Sequence, residues 1–285
     1  MQKSWRIKEL LEWTTRYFLN KGIQASRLEA EILLAHGLEK SRVYLYANYD
    51  EPVNQTEREK FRDLIKRRTA GEPLAYIVGR KEFMSLDFKV TPDVLIPRPD
   101  TEILVETAIN IAGKGQITRI CDVGTGSGAI AISLAVYMPA SKIYATDLSG
   151  AALNIARENA LRHNAAVDFR EGDLLAPLEN EEWMDMITAN LPYVTLTEVE
   201  KLESGVKDWE PRLALAATGD GLDIYRRLAP QARQLLRPGG YMLWEIDPRQ
   251  ARLVRDILSD FDEIEIFKDG AGKDRLVKAR RSIDV

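Results

Sequence analysis

The stretch of this chain that most constrains its fold is 120–130, where an apolar run gives way to three alternate glycines and then resumes with helical spacing. The run predicts a strand, the glycines predict a tight turn, and the residues after them predict the start of a helix. Glycine is needed where the backbone takes a positive φ or comes close to a ligand, and a helix start presents backbone N–H groups to whatever lies over the turn. The stretch therefore predicts a strand–turn–helix unit that binds a ligand.

Beyond this unit, predicted strands alternate with predicted helices, a pattern typical of a parallel sheet with helices on both faces. A short connection, Gly270–Gly272, joins the last two strands and favours an antiparallel pair at the end of the chain. We therefore expect an α/β fold with a Rossmann-like, mainly parallel sheet. The predicted strands are 118–123, 142–147, one that ends near Asp173, 184–189, 241–245, 263–267 and 275–279.

The N-terminal part of the chain has a different pattern, since apolar residues recur with helical spacing from Trp5 to about Gly71. We predict a small helical bundle there, with capping boxes that begin at Ser26 and at Thr56. No glycine-rich turn, histidine cluster or paired carboxylate in this bundle indicates chemistry. Its predicted role is recognition of a substrate.

The period of the apolar residues changes to two between residues 75 and 90, which predicts a β-hairpin with its turn at Gly79–Arg80. The predicted organisation is a helical recognition domain over 1–73, a hairpin linker over 74–93 and a ligand-binding domain over 94–285.

Composition excludes several classes of protein. The chain has 40 Lys and Arg against 44 Asp and Glu, so its charge gives no general attraction to nucleic acid. It has no apolar run near eighteen residues and no signal-peptide pattern, so we expect a cytoplasmic protein without membrane association. The single cysteine, Cys121, excludes an internal disulfide. The two histidines, His36 and His163, have no ligand-spaced partners, so no metal is expected.

Two classes of cofactor are compatible with the glycine turn. Gly124-x-Gly126-x-x-Ala129 loosely satisfies the dinucleotide fingerprint, with Asp147 at about the expected distance of twenty residues. Asp122 favours the other class, because a carboxylate before the first glycine would repel a pyrophosphate and attract a cation. A nicotinamide-linked dehydrogenase stays as an alternative hypothesis.

Asp122 and the glycines together resemble motif I of the class I methyltransferases. Their donor, S-adenosylmethionine, carries a sulfonium and an ammonium and has no phosphate, and its product is S-adenosylhomocysteine. The resemblance implies that Asp147 holds the ribose hydroxyls, that Asp173 and Leu174 border the adenine, and that the turn meets the methionine part. The predicted donor-binding residues are Asp122, Gly124, Thr125, Gly126, Ser127, Gly128, Asp147, Asp173, Leu174 and Asn190.

The tetrapeptide Asn190-Leu191-Pro192-Tyr193 carries the prediction of the reaction. It resembles the Asn-Pro-Pro-Tyr motif of methyltransferases that act on amide or exocyclic amino nitrogens, whose delocalised lone pairs are poor nucleophiles. If the Asn190 side-chain oxygen and the Leu191 carbonyl each accept one N–H, the lone pair turns toward the methyl group and developing charge is stabilised. Tyr193 would stack on the planar group. Leu191 stands where the usual form has proline, a change that keeps the carbonyl and affects loop rigidity.

Over nearly its full length the chain resembles the peptide chain release factor glutamine N5-methyltransferases. The resemblance rests on the helical N-terminal domain, the hairpin, the turn, residues 190–193, the segment 96–102 with its Pro-Arg-Pro sequence, and Trp209-Glu210-Pro211-Arg212. It implies that the substrate is the glutamine of the Gly-Gly-Gln loop of class 1 release factors, held partly by the N-terminal domain. It also implies Arg98 as a substrate-binding residue beside residues 190–193. We expect a monomer that binds no nucleic acid directly.

Other hypotheses stay open at this point. A ribosomal-protein glutamine methyltransferase would share the motif, and an adenine N6-methyltransferase would present the same planar amino group to Asn190. A pI of about 5.5 without a strong basic stripe disfavours the second. A noncatalytic adapter with a relic cofactor pocket is the alternative from a different class.

Overall fold

The computed structural model describes residues 5–113, 115 and 117–283. These residues form two compact units. The first comprises the described residues up to Gly79 together with Ser204–Trp209, and the second comprises Arg80–Glu203 and the chain from Glu210 onward.

The first unit is helical, as its apolar spacing predicted. Its core is built by the inward faces of the longer helices, with Leu11, Phe18, Leu33 and Phe61 nearly inaccessible to solvent. A short antiparallel pair joins Trp5–Arg6 to Pro52–Val53. The helices are Ile7–Asn20, Ser26–Leu38, Arg42–Ala47, Gln55–Thr69 and Leu74–Val78, with Ser204–Lys207 added from the later segment.

Both predicted capping boxes of this unit are wrong. The helix that was to begin at Thr56 is capped by Asn54, whose side chain accepts from the Glu57 N–H at 3.0 Å while Glu57 accepts from the Asn54 N–H at 2.9 Å. Asparagine is at least as good an N-cap as threonine, so the earlier residue takes that position. Ser26 lies inside its helix and donates to the Ile23 carbonyl.

The hairpin begins later in the chain than predicted. Residues Leu74–Val78 form a helix, and Gly79 ends it in the left-handed conformation that favours glycine. The two strands are Arg80–Phe83 and Leu86–Lys89, and they pair antiparallel. The turn therefore lies at 84–85, and the predicted turn at Gly79–Arg80 is wrong.

The second unit contains one seven-stranded sheet among the described residues. Numbered in chain order, its strands are β1 (Arg119–Val123), β2 (Lys142–Asp147), β3 (Val167–Glu171), β4 (Met184–Ala189), β5 (Leu236–Glu245), β6 (Phe261–Lys268) and β7 (Asp274–Arg281). Their order across the sheet is β6-β7-β5-β4-β1-β2-β3, and β7 runs in the direction opposite to the other six strands. The predicted Rossmann-like α/β fold is confirmed.

Helices cover both faces of this sheet, and each face has its own apolar core. Trp244 and Tyr225 lie in one core, and Ile120, Leu104 and Leu134 lie in the other. Because both faces of the sheet are covered, β1 and β4 are buried along almost their whole length. The longer helices are Glu102–Ala112, Ala129–Tyr137, Gly150–Arg162, Asp223–Leu235 and Ala251–Ile257.

Shorter elements connect the strands and helices of the second unit. The 3-10 turns are Pro99–Thr101, Ala176–Leu178 and Pro248–Gln250, and short helices span Leu196–Val199 and Arg212–Leu215. A two-stranded parallel pair joins Val194–Thr195 to Ala216–Ala217. No helix among the described residues is both long and apolar enough to cross a membrane.

Candidate active site

Most of the predicted site residues converge on one cavity of about 330 Å³ in the second unit. It opens at the carboxyl ends of β1, β2 and β4, where the strand order reverses and open α/β sheets bind their ligands. A separate cavity of about 360 Å³ beside the helix Asp223–Leu235 contains none of the predicted residues. The predicted residues that line the first cavity are Arg98, Gly124, Thr125, Gly126, Ser127, Asp147, Asp173, Leu174, Asn190, Leu191 and Pro192.

The glycine turn is shaped by its own backbone hydrogen bonds. The N–H groups of Gly124 and Thr125 both donate to the Thr146 carbonyl of β2, at 2.8 and 3.0 Å. Gly126 has a φ of +56°, and a Cβ built on it would point into open space. Gly128, with a φ of +81°, lies against the neighbouring helix, where an added Cβ would be 3.2 Å from that of Ala156. Gly128 therefore allows helix packing and does not line the cavity.

Asp147 uses the N–H group that a phosphate would need. Its Oδ2 accepts from the Gly126 N–H at 2.8 Å and its Oδ1 accepts from the Ser149 N–H at 2.9 Å. Burial raises the pKa of this carboxyl, and the Ser149 and Gly126 N–H groups oppose the rise. A pyrophosphate over the turn would meet a carboxylate in place of a free N–H, so the turn suits a cationic ligand better than a dinucleotide.

The sequence predicted Asp122 as a donor-binding residue, but Asp122 does not line the cavity. Its carboxyl is fully buried beneath the turn, where Oδ1 accepts from the Thr188 hydroxyl at 3.0 Å. Burial raises the pKa of Asp122 to about 7, and the Thr188 bond acts in the opposite direction. The residue supports the turn from inside the sheet and makes no direct contact with the cavity.

Asp173 and Leu174 follow β3 and lie at the predicted wall of the cavity. The Asp173 carboxylate pairs with the Arg227 guanidinium, which also lines the cavity. The charge of Arg227 is therefore compensated within the wall.

Asn190 lines the cavity. Its Nδ2 donates to the Thr101 hydroxyl at 3.0 Å, and no group among the described residues donates to its Oδ1. The amide is thus held from one side and has one acceptor left for a ligand.

Leu191 is buried against the glycine turn, where a Cβ built on Gly124 would lie only 2.5 Å from its Cδ2. Its backbone N–H donates to the Tyr225 hydroxyl at 3.1 Å, and that hydroxyl donates to the Glu245 carbonyl at 2.8 Å. A proline at this position would have no N–H to donate. A hydrogen bond to a fully buried tyrosine therefore provides the restraint that a proline ring provides in the usual motif.

Tyr193 does not line the cavity, although the sequence predicted that it would stack on a substrate. Its hydroxyl donates to Glu245 Oε1 at 3.1 Å, and its carbonyl accepts from Gln250 Nε2 at 3.3 Å. Burial, followed by the charge of Glu245, raises the pKa of this phenol. These contacts hold the ring behind the loop.

Arg98, the predicted substrate-binding residue, lies at the cavity wall, and its charge is paired. Its Nη2 donates to Glu210 Oε1 at 2.5 Å, and the other Glu210 oxygen accepts from the Ile96 N–H at 3.2 Å. Glu210 is almost completely buried, so this pair fixes the Pro-Arg-Pro segment at the cavity rim.

Three residues of the site were missed by the sequence analysis: Thr101, Tyr225 and Glu245. Glu245 ends an apolar strand with a carboxylate, which is the signal that identified Asp122 and Asp147. Thr101 directly precedes a helix, where a threonine commonly caps the helix start, yet its side chain makes no capping bond. Tyr225 lies inside a helix pattern and has no local signal.

Comparisons with known proteins match this architecture. A family model described as the PrmC N-terminal domain matches residues 9–79, and one described as a methyltransferase domain matches residues 115–275. The release factor glutamine methyltransferase of Geobacter sulfurreducens is 41% identical, covering 97% of each chain. The enzyme of that name from Moorella thermoacetica is 43% identical, covering 96% of this chain and 98% of its own. A methyltransferase structure from Pyrococcus furiosus matches with a TM-score of 0.51 and 16% identity, covering 79% of this chain and 99% of its own.

The strand order, the glycine turn between β1 and its helix, and the polar ends of β2 and β4 define a class I methyltransferase. Within that class, identity of about 40% across almost the whole chain, including the N-terminal domain, identifies the family. The chain belongs to the release factor glutamine methyltransferases.

Proposed function

We propose that this protein transfers a methyl group from S-adenosylmethionine to the side-chain amide nitrogen N5 of the glutamine in the Gly-Gly-Gln motif of class 1 release factors. The observation that carries the proposal is the unused acceptor of Asn190, at the mouth of a cavity whose turn suits a cationic donor. Family membership supports the choice of glutamine over other planar amides.

The donor suits the cavity on two grounds. Gly126 leaves open space over the turn, and Asp147 has lone pairs left on both carboxylate oxygens for ribose hydroxyls after each has accepted one backbone N–H. When bound, S-adenosylmethionine supplies an electrophilic methyl group on a sulfonium, and this chemistry requires no metal.

The chain's own groups orient the acceptor. Asn190 Oδ1 accepts one N–H of the glutamine amide and the Leu191 carbonyl accepts the other, so the amide plane is fixed and its lone pair is directed into the cavity. The hydrogen bonds to these two acceptors become stronger as positive charge develops on the nitrogen. Their effect therefore falls mainly on the transition state. No general base is needed beforehand, because the proton leaves after transfer.

Further roles follow for the rest of the predicted site. Pro192 and Leu191 line the acceptor side of the cavity, and the exposed part of Arg98 is proposed to contact the substrate. The helical N-terminal domain is proposed to hold the body of the release factor. A net charge of −4 supports a protein substrate over direct contact with nucleic acid, and we propose a monomer as the active form.

The direct test is incubation with isotope-labelled donor and a panel that contains a release factor, its Gly-Gly-Ala variant, ribosomal proteins and DNA, followed by mass mapping. We expect one methyl group on the motif glutamine and none on the Gly-Gly-Ala variant. Label on a ribosomal protein or on adenine alone would contradict the proposal, and no label anywhere with intact donor binding would favour the adapter hypothesis.

Asn190 variants test the mechanism within the same assay. Asn190→Ala should lower kcat about 10² to 10³-fold with little change in donor affinity, as for loss of one preorganised polar group. Asn190→Asp keeps an acceptor and should retain partial activity. Near-wild-type turnover by both variants would remove Asn190 from the mechanism.

A further inference from the structure

A continuous line of hydrogen bonds starts at Asn190 in the motif loop, residues 190–193, passes through Thr101 at the cavity wall and ends at Glu245. Asn190 Nδ2 donates to Thr101 Oγ at 3.0 Å, and Thr101 Oγ donates to Glu245 Oε2 at 2.6 Å. The other oxygen of Glu245 accepts from the Tyr193 hydroxyl at 3.1 Å. Thr101 and Glu245 are 4% and 3% exposed, so water does not compete for these bonds.

The hydrogen atoms available along this line determine which group donates in each hydrogen bond. A carboxylate has no hydrogen to give, so the single hydrogen of the Thr101 hydroxyl must point at Glu245. Thr101 can then only accept from Asn190, and it must therefore face the NH₂ end of the amide. The oxygen end is left on the cavity side.

We propose that Thr101 and Glu245 are positioning residues that set which end of the Asn190 amide faces the substrate. The proposal rests on the proposed function, since it matters only where the substrate supplies an N–H. Asn190 is the catalytic residue, and the other two act through it.

A neutral residue at position 245 would no longer fix the orientation of the Asn190 amide. The amide of a glutamine could donate to Thr101, whose hydrogen could then point at Asn190. Asn190 would turn over to accept it and would present its NH₂ group to the N–H of the substrate, where two donors face each other. Glu245→Gln keeps the size of the side chain and changes its hydrogen-bonding groups. The variant therefore tests the orientation of the Asn190 amide separately from packing.

Burial raises the pKa of the Glu245 carboxyl, and the hydrogen bonds from Thr101 and Tyr193 and the charge of Arg275 oppose the rise. Arg275 also pairs with Asp100 and Asp269, at 3.3 and 3.2 Å, and the charge of Asp100 adds to the rise. Tyr193 faces the carboxylate from the motif loop.

The experiment compares Thr101→Val, Thr101→Ser, Glu245→Gln and the wild-type enzyme for kcat, KM and donor affinity on a release factor. We expect Thr101→Val and Glu245→Gln to lower kcat about 10- to 100-fold, the range for one or two hydrogen bonds, with donor affinity unchanged. Thr101→Ser keeps the hydroxyl and should stay within about threefold of wild type.

Asp185→Asn is the matched control for the loss of a buried carboxylate. Asp185 lies at the opposite end of β4 from Asn190 and accepts from the Thr118 N–H at 2.7 Å. We expect this variant to lose stability and to keep its kcat.

A second readout needs no substrate. The side-chain NH₂ signal of Asn190 in an ¹⁵N–¹H spectrum, assigned by its absence in Asn190→Ala, should exchange slowly with solvent in the wild type and in Thr101→Ser. It should exchange faster in Thr101→Val and in Glu245→Gln. Equal kcat and equal exchange in the Val and Ser variants would overturn the positioning role, whereas a wild-type enzyme with slow exchange and no methylation of release factors would overturn only the proposed function.

Discussion

Replacing Tyr225 by phenylalanine tests whether a hydrogen bond takes the place of the usual proline at Leu191. The Tyr225 hydroxyl is fully buried, accepts from the Leu191 N–H at 3.1 Å and donates to the Glu245 carbonyl at 2.8 Å. Phenylalanine keeps the ring, which packs on Trp244 with ring centroids 4.6 Å apart, and removes only the oxygen.

The substitution leaves two buried backbone groups without partners. Each buried, unsatisfied polar group costs about 1–3 kcal/mol, so the free energy of unfolding of the second unit should fall by about 2–6 kcal/mol. The chain has two compact units, so a global transition would mix their stabilities. The measurement is therefore denaturant unfolding followed by pulsed hydrogen exchange, with peptides from the second unit analysed separately.

A double-mutant cycle with Leu191→Pro isolates the N–H contact. Proline has no N–H, so in its background Tyr225→Phe leaves only the Glu245 carbonyl without a partner. The cost of Tyr225→Phe should then be about 1–3 kcal/mol smaller than in the wild-type background. Equal costs in the two backgrounds would refute the idea that this bond restrains the loop.

Two further predictions concern the carboxylates near the glycine turn. Because burial raises the pKa of Asp122 from 3.8 to about 7, the folded state binds more protons than the unfolded state between these values, and the contribution of this residue to stability falls as pH rises through that window. The stability of Asp122→Asn relative to wild type should therefore increase by up to about 4 kcal/mol from pH 4 to pH 8 in denaturant titrations, and a constant difference would contradict the assignment. Asp147→Ala should weaken S-adenosylmethionine binding about 10- to 150-fold in calorimetry, because a hydrogen bond to a charged acceptor contributes about 1.5–3 kcal/mol. Asp147→Asn should have an intermediate affinity, and unchanged affinity in the Ala variant would show that Asp147 is not part of the donor site.

The sheet was predictable from the sequence because buried parallel strands leave a strong local signal. The bounds of β2 and β4 were predicted to the residue, since each strand has an apolar centre and a polar residue marks its end, Asp147 in β2 and Asn190 directly after β4. The cavity followed from the same signal, because the polar residues after β1, β2 and β4 meet at one edge of the sheet.

Contacts between residues distant in sequence were not predictable in this way. Thr101 and Glu245 are 144 positions apart, and neither pattern indicates that a hydroxyl and a carboxylate will meet. The segment Ser204–Trp209 likewise looks in sequence like part of the methyltransferase domain, yet it belongs to the first unit. There Ser204 Oγ would lie 3.0 Å from a Cβ built on Gly71. Local periodicity carries no information on such pairings.

Glu245, at the end of β5, is connected by hydrogen bonds to both Asn190 and Leu191 of the motif loop. Its carboxylate reaches Asn190 through Thr101, while its backbone carbonyl reaches the Leu191 N–H through Tyr225. The two proposed acceptors of the substrate amide, Asn190 Oδ1 and the Leu191 carbonyl, are therefore positioned from one residue of β5. Burying a carboxylate there costs desolvation energy, and the Thr101 and Tyr193 bonds and the nearby Arg275 offset part of this cost. An apolar residue at 245 would avoid that cost and would leave Asn190 without a defined direction.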